Sequence, residues 1–287
     1  MRLPFLFILT TVMIDAMGIG LIMPVMPDLI RQVQGGSLAD AALWGGLLAT
    51  AFAVAQFVFS PIIGALSDRS GRRPVLLITQ SALVLVYLLM ALAQSLWMLL
   101  LCRTLAGIAS ATQSTANAAI ADLSPPEKKT ANFGLLGAAF GVGFVFGPML
   151  GGLLGGWGTR APFYGAAALV ALNVTLGLAV MHETVTPDKR RAFDWRRAHA
   201  FGALKQMRLL PGLLPLVLVY FIYSVAIYVY PAIWAFYTQA QFGWSVGMVG
   251  VSLGVFGFSM ALVQGWLIRP VVRIAGERMT VVLGHCF

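Results

Sequence analysis

Gly64-Ala65-Leu66-Ser67-Asp68-Arg69-Ser70-Gly71-Arg72-Arg73-Pro74 places four charged side chains and two glycines between two apolar runs, 42–66 and 75–93. A helix needs about 20 residues to cross ~30 Å of hydrocarbon, and both runs are of that order. Lipid offers backbone polar groups no partner, so each run has to be helical and the charged stretch has to be a short turn between two spans. Gly64 suits a close approach of helices and Gly71 a tight turn. Asp68 falls at a helix end, where Arg69, Arg72 or the N-terminus of a neighbouring helix neutralises it. Together with Arg73, these residues suit a latch between helices that breaks and re-forms. A plain basic turn that fixes topology is the simpler alternative.

Outward from this turn, the apolar runs recur at 3–26, 42–66, 75–93, 96–120, 133–157, 162–181, 213–236 and 246–268, and a ninth begins at Met279. The 287 residues are 59% hydrophobic and 10% charged, with a mean hydropathy of +0.87. That much apolar surface does not fit inside one soluble core. The expectation is an all-α membrane protein with eight complete transmembrane helices and part of a ninth. The first run is too long for a signal-peptide core and carries Asp15, so it reads as a retained span.

Basic residues sort by loop. Arg2, Arg69, Arg72, Arg73, Lys128, Lys129, the cluster from Lys189 to Arg208, and Arg269, Arg273 and Arg278 fall on one side, and Arg31 and Arg160 on the other. Basic loops stay cytoplasmic, which puts the N-terminus in the cytoplasm. It also accounts for the net charge of +9 without nucleic acid as a partner. The basic stretch 184–211 is also a candidate surface for anionic lipid. Cys102 and Cys286 lie in different elements, and His182, His199 and His285 are scattered, so neither a metal site, a cofactor nor an enzyme is expected.

Six runs, a polar stretch and further runs suggest two halves: 1–181 with six helices, a basic linker at 182–211, and 212–287 with spans seven, eight and the start of nine. Parallel halves of this kind bind substrate near the midplane between them. The turn after span two has a weak echo after span eight, from Arg269 through Arg273 and Gly276 to Arg278, without a counterpart of Asp68.

Charge inside a span is costly and marks function. Asp15 is the one carboxylate well inside a run, and Arg103 sits about a third of the way into the fourth. Asp15 is the candidate proton carrier, or the charge partner of Arg103 and substrate. A structural role for Asp15 and snorkelling for Arg103 are the plain alternatives. In span five, Gly143, Gly147, Gly151 and Gly155 recur every fourth residue, with Pro148 and Gly152 beside them. They offer one smooth face to a partner helix and a bend. Gln56, Gln113, Asn117 and Gln264 are candidate pocket amides or helix glue. Tyr223, Tyr228 and Trp234, near Tyr220, Tyr230 and Pro231, are a candidate wall for a flat aromatic ligand or anchors at the lipid interface.

The Asp68 turn resembles the signature of the major facilitator superfamily. The arginine with glycine four residues later, Arg103 and Gly107, resembles that family's fourth-span signature, which is associated with proton coupling. The Gly147-Pro148 segment with Gly151 and Gly152 resembles its antiporter signature. Added to the segments at Asp15 and Asp122, these features are similar to the tetracycline exporters of bacterial inner membranes. The resemblance implies a drug/proton antiporter of twelve spans, and a monomer is the expected state. Its implied partners are the lipid bilayer, protons, and a lipophilic antibiotic such as tetracycline, alone or bound to a divalent cation. Two features depart from it: 83–90 is apolar apart from Tyr87, where those exporters carry a second acid, and Ser224 and Tyr228 stand where they carry glutamines. A different drug or a metabolite is therefore an alternative substrate. With four spans short of twelve, a truncated non-transporting remnant is an alternative to an exporter.

Overall fold

The computed structural model describes residues 2–185 and 213–263, together with 190, 193, 195, 198, 270–274, 276 and 279. Seven helical segments among the described residues are long and apolar enough to cross a membrane, and Val246–Leu262 is a shorter apolar helix. Positions 264–268 of the eighth run, most of the linker and nearly all of the ninth run lie outside the described residues.

The first span is not one rod. Helix α1 (Arg2–Ile22) passes through a 3-10 turn (Met23–Val25) into α2 (Met26–Gln34). Pro24 and Pro27 supply no N–H at this point, so the ladder of backbone bonds has to be re-set there. Helix α3 (Leu38–Ser70) begins at a capping box. The Ser37 hydroxyl accepts from the Asp40 N–H at 3.2 Å, while the Asp40 carboxylate accepts from the Ser37 N–H at 3.2 Å. Helix α4 (Arg72–Ala91) follows after Gly71 alone. The fourth run, expected as one helix, divides into α5 (Leu96–Ala109) and α6 (Thr112–Leu123). Helices α7 (Lys129–Gly155) and α8 (Ala161–Val180) complete the first six spans, and α9 (Leu213–Phe242) and α10 (Val246–Leu262) add two more.

α1 is the central rod, packed on α7, α8 and α6. α4 lies against α8, α5 and α6, and α3 lies on α5. The main core, including Leu21, Leu29, Leu48, Leu83, Leu99 and Phe163, fills the bundle toward the end that carries Ser37. A smaller core of Phe7, Ile8, Val12, Leu76 and Ile120 fills the end that carries Asp68. Large apolar side chains such as Leu43, Ile78, Trp97 and Leu216 stay exposed, as a lipid-facing surface requires.

Spans seven and eight join the first six through contacts along the Ser37 end. Phe236 of α9 sits on Gly45 of α3, Gln239 donates to Asp28 at 3.4 Å, and α10 runs along α7. The expected smooth face on α7 exists and has two sides. Gly143, Gly147 and Gly151 press on the α1 backbone at Met13, Met17 and Leu21, while Gly152 faces Gly250 of α10, where a Cβ would lie 3.0 Å from the Gly250 Cα. Without a hydrophobic drive between helices in lipid, this backbone proximity is what gives dispersion contacts their strength.

Candidate functional site

Between α1, α2, α3, α5, α6, α7 and α9 lies a cavity of about 890 Å³. Its wall is mainly apolar and aromatic, with Phe52, Phe57, Phe140, Phe144 and Phe236, and its two charged lining residues are Asp15 and Arg103. A carboxylate from α1 and a guanidinium from α5 thus meet on one volume, an arrangement no single run of sequence displays.

The two charges do not pair. Among the described residues there is no ion pair within 4.0 Å between Asp15 and Arg103. The Arg103 guanidinium stacks 4.5 Å from the Phe52 ring centroid, which holds it toward α3 by a cation–π contact. Asp15, only 9% exposed, accepts a 2.7 Å hydrogen bond from the Gln80 amide of α4. The charge partnership expected from the sequence is replaced by one neutral partner for each. Tyr87 is buried beside this pair, and its hydroxyl abuts Gly18, one turn beyond Asp15.

Of the pocket candidates, Gln56, Gln113 and Tyr228 line the cavity. Gln56 also donates to the Ser110 carbonyl at 3.2 Å, which satisfies an acceptor released by the break between α5 and α6. Asn117, Tyr223 and Trp234 lie outside the lining, and Gln264 lies outside the described residues. Trp234 serves as a joint: its indole N–H donates to the Ser252 hydroxyl at 2.9 Å, and its ring meets Trp244 edge-on with centroids 6.4 Å apart while packing on the cluster of Ala235, Val249 and Leu253. Trp234→Phe is expected to lower stability by about 1 kcal/mol, the value of one such bond, seen as a lower unfolding temperature of the detergent-solubilised chain.

At the Asp68 end, the charged turn closes on itself and on two neighbours. The Arg72 guanidinium pairs with Asp68, donates to the Ser67 hydroxyl at 2.6 Å and reaches Asp122 of α6 at 3.2 Å. Arg72, not the exposed Arg69, therefore neutralises Asp68. Gly71 takes φ 104° and ψ 155°, open to glycine and strained for other residues. A Cβ there would also strike the Glu183 carboxylate, which accepts from the Arg72 N–H at 2.8 Å and from the N–H groups of Thr184 and Val185. Arg73 donates to the Leu178 carbonyl at 3.1 Å, so α8 is tied to the same turn. Gly64 has room for a methyl, with Ser114 3.5 Å from a built Cβ. The close helix approach falls instead at Gly107, pressed on the Phe52 carbonyl. Arg72→Ala would leave two part-buried carboxylates unpaired. We expect a loss of about 1–3 kcal/mol after solvent screening, which Arg72→Lys recovers incompletely because an ammonium lacks the planar fork. Thermal unfolding of the three proteins checks this.

Gln80, Asp122 and Glu183 were not among the functional candidates on sequence grounds. Gln80 left a trace, as the one carboxamide inside the third run. Glu183 left none, because its role depends on the fold returning α8 beside the start of α4.

The residues from 8 to 287 match the family model of the Major Facilitator Superfamily, and the chain belongs to that superfamily. It is a multi-pass transporter of the bacterial inner membrane and not an enzyme. It is 40% identical over 277 residues to the Escherichia coli tetracycline resistance protein of class C, a match that covers 96% of this chain and 69% of that protein. It is 28% identical to the quinolone resistance protein NorA of Staphylococcus aureus, covering 84% of this chain and 61% of that one. Among solved structures it superposes on the human organic anion transporter MFSD10 with a TM-score of 0.73 and 26% identity, over 92% of this chain and 71% of that one. It also superposes on a bacterial homologue of the human lysosomal transporter Spinster, inward-facing and unoccupied, at 0.75 and 20% identity, over 94% and 62%, which bears on the fold.

Proposed function

We propose that the chain exports tetracycline, free or as its cation complex, across the inner membrane in exchange for protons. The carrying observation is the aromatic cavity at mid-bundle, with Asp15 and Arg103 as its two charged lining residues. Its volume falls within the usual range for drug-sized ligands, roughly 300–1,000 Å³. Phe52, Phe140 and Tyr228 supply flat apolar surface, and Asp15 supplies a protonatable group that faces both the cavity and Gln80. Arg103 supplies fixed charge. Arg72, Arg73, Lys128 and Lys129 gather at the Asp68 end, which the excess of basic residues assigns to the cytoplasm together with the N-terminus. The contacts of α9 and α10 with the first six spans then lie toward the periplasm, consistent with a cavity that faces inward.

In this reading residues 1–181 and 212–287 are parts of two halves joined by 182–211, and the chain acts as a monomer. The Gly64–Arg73 turn is a latch among α3, α4, α6 and α8 that breaks and re-forms through the cycle, and the α7 glycines let α10 rock against α7. A second reading is export of a different lipophilic drug. It is favoured by the single carboxylate among the cavity's lining residues, since Asp15 already gives one oxygen to Gln80 and a bound cation would need further ligands.

Energised everted vesicles test both readings. Tetracycline is expected to release protons from the lumen, with a larger signal when magnesium is present. A response to a quinolone but none to tetracycline selects the second reading, and no drug-dependent proton movement with either sinks the antiporter.

A further inference from the structure

Gln80 is fully buried, and its amide is used on one side only. Its Nε2 donates to Asp15 Oδ1 at 2.7 Å, while its Oε1 has no hydrogen-bond partner among the described residues. Interiors rarely leave a desolvated acceptor unpaired. Asn173 has a similarly orphaned oxygen, but its partner is the Thr11 hydroxyl, which is donor and acceptor at once. The partner of Gln80 is different. An ionised carboxylate only accepts, whereas a protonated one presents an O–H donor. A carboxamide has a donor end and an acceptor end of nearly the same shape, on a terminal torsion with two roughly equivalent wells.

We propose that Gln80 is the positioning residue that registers the protonation state of Asp15 by turning its amide over. With Asp15 ionised, Nε2 donates to the carboxylate, as in the present structure. With Asp15 protonated, the acid O–H donates to Oε1 and Nε2 turns away. The proton comes to Asp15 and leaves it, and Gln80 neither gains nor loses one. Because Gln80 stands on α4 and Asp15 on α1, the exchange changes which groups join the central rod to the helix that begins at the Arg72 latch. The inference rests on the reading of Asp15 as the proton carrier.

The other groups around this pair keep the assignment simple. Tyr87 on α4 is buried with its hydroxyl against Gly18, one turn from Asp15, and Arg103 on α5 lines the same cavity without an ion pair to Asp15 among the described residues. Cys102 on α5 is buried in the main core. The charged residues of α3, α6 and α7 lie near the helix ends, at Asp40, Asp68, Arg69, Asp122 and Lys129, and α8 carries none, with Tyr164 in its first turn.

The test is infrared difference spectroscopy of the purified 287-residue chain in liposomes across a pH jump, with glutamine side chains labelled with ¹⁵N. The acid carbonyl band of Asp15 is assigned by its loss in Asp15→Asn, and the Gln80 amide band by its loss in Gln80→Met. We expect the Gln80 band to shift in step with the Asp15 band and to stand still in Asp15→Asn. In Gln80→Met the Asp15 carbonyl should move to the frequency of an acid without a hydrogen-bond partner. Gln80→Asn, one carbon short, serves if the methionine variant does not fold, and should show the same displaced band. An Asp15 band that titrates while the amide band stays fixed, or that is unchanged by both Gln80 variants, overturns this inference and leaves the proton-carrier reading intact. If no Asp15 band titrates at all, both fail together.

Discussion

Asp15→Asn is expected to abolish drug-dependent proton release from everted vesicles while leaving the fold and drug binding largely in place. The reasoning starts from size and burial. Asparagine matches aspartate in shape, and its carboxamide can take the Gln80 amide as a partner at the same 2.7 Å position, so α1 and α4 stay packed. What disappears is the cavity's protonatable carboxylate, since Arg103 does not deprotonate in the working range. An uncoupled transporter should still bind its drug, because the aromatic wall of Phe52, Phe140 and Tyr228 is untouched. Equilibrium binding should therefore change by less than about tenfold, or about 1.4 kcal/mol, while the proton signal falls to background. Persistence of that signal would move the coupling role to another group, with Tyr87 the first to examine.

The largest effect on stability is expected at Gly151. A Cβ there meets the Leu21 carbonyl and lies 2.9 Å from the Leu21 Cα, so what would have to give way is the backbone of the central rod. Gly151→Val should cost at least the 1–3 kcal/mol typical of overpacking, and more because no flexible side chain can yield. That is a large share of the roughly 5–15 kcal/mol by which proteins are stable. Gly141 lies on the same helix and nothing stands within 4 Å of a Cβ built there, so Gly141→Val is the matched control. Thermal unfolding in detergent should separate the two variants clearly. Equal behaviour would mean that α1 and α7 are not as close as they stand here.

Much of this was legible from residue order. Apolar runs of membrane length located the spans because lipid leaves the backbone no choice but helix. The glycine spacing in α7 announced a close-packed face, and the structure adds which partners it meets, α1 on one side and α10 on the other. Positions of breaks were harder to see. The bend at Met23–Val25 coincides with Pro24 and Pro27, which hydropathy alone does not single out, and the interruption at Ser110 and Ala111 has no proline to mark it, while Gln56 reaches its Ser110 carbonyl from α3. Partnerships were hardest. Asp15 and Arg103 seemed natural partners as opposite charges in a membrane interior. Phe52 and Gln80, 51 and 65 positions away from their respective partners in the chain, claim them instead. Long-range neighbours of this kind are set by tertiary packing, which local periodicity does not encode.

The division of the fourth span has a mechanical meaning. Arg103 stands on α5, on one side of the break, and Asp122 stands on α6, on the other. A residue that lines the cavity and a partner of Arg72 therefore share a span without sharing a rigid rod. In the proposed cycle, motion at the latch would reach the cavity through a joint that α3 braces from the side, where Gln56 donates to the Ser110 carbonyl at 3.2 Å and the Ser114 hydroxyl donates to the Ser60 carbonyl at 3.1 Å. The stiffness of those linkages would then set how much of a rocking movement is transmitted and how much is absorbed before it reaches a bound ligand.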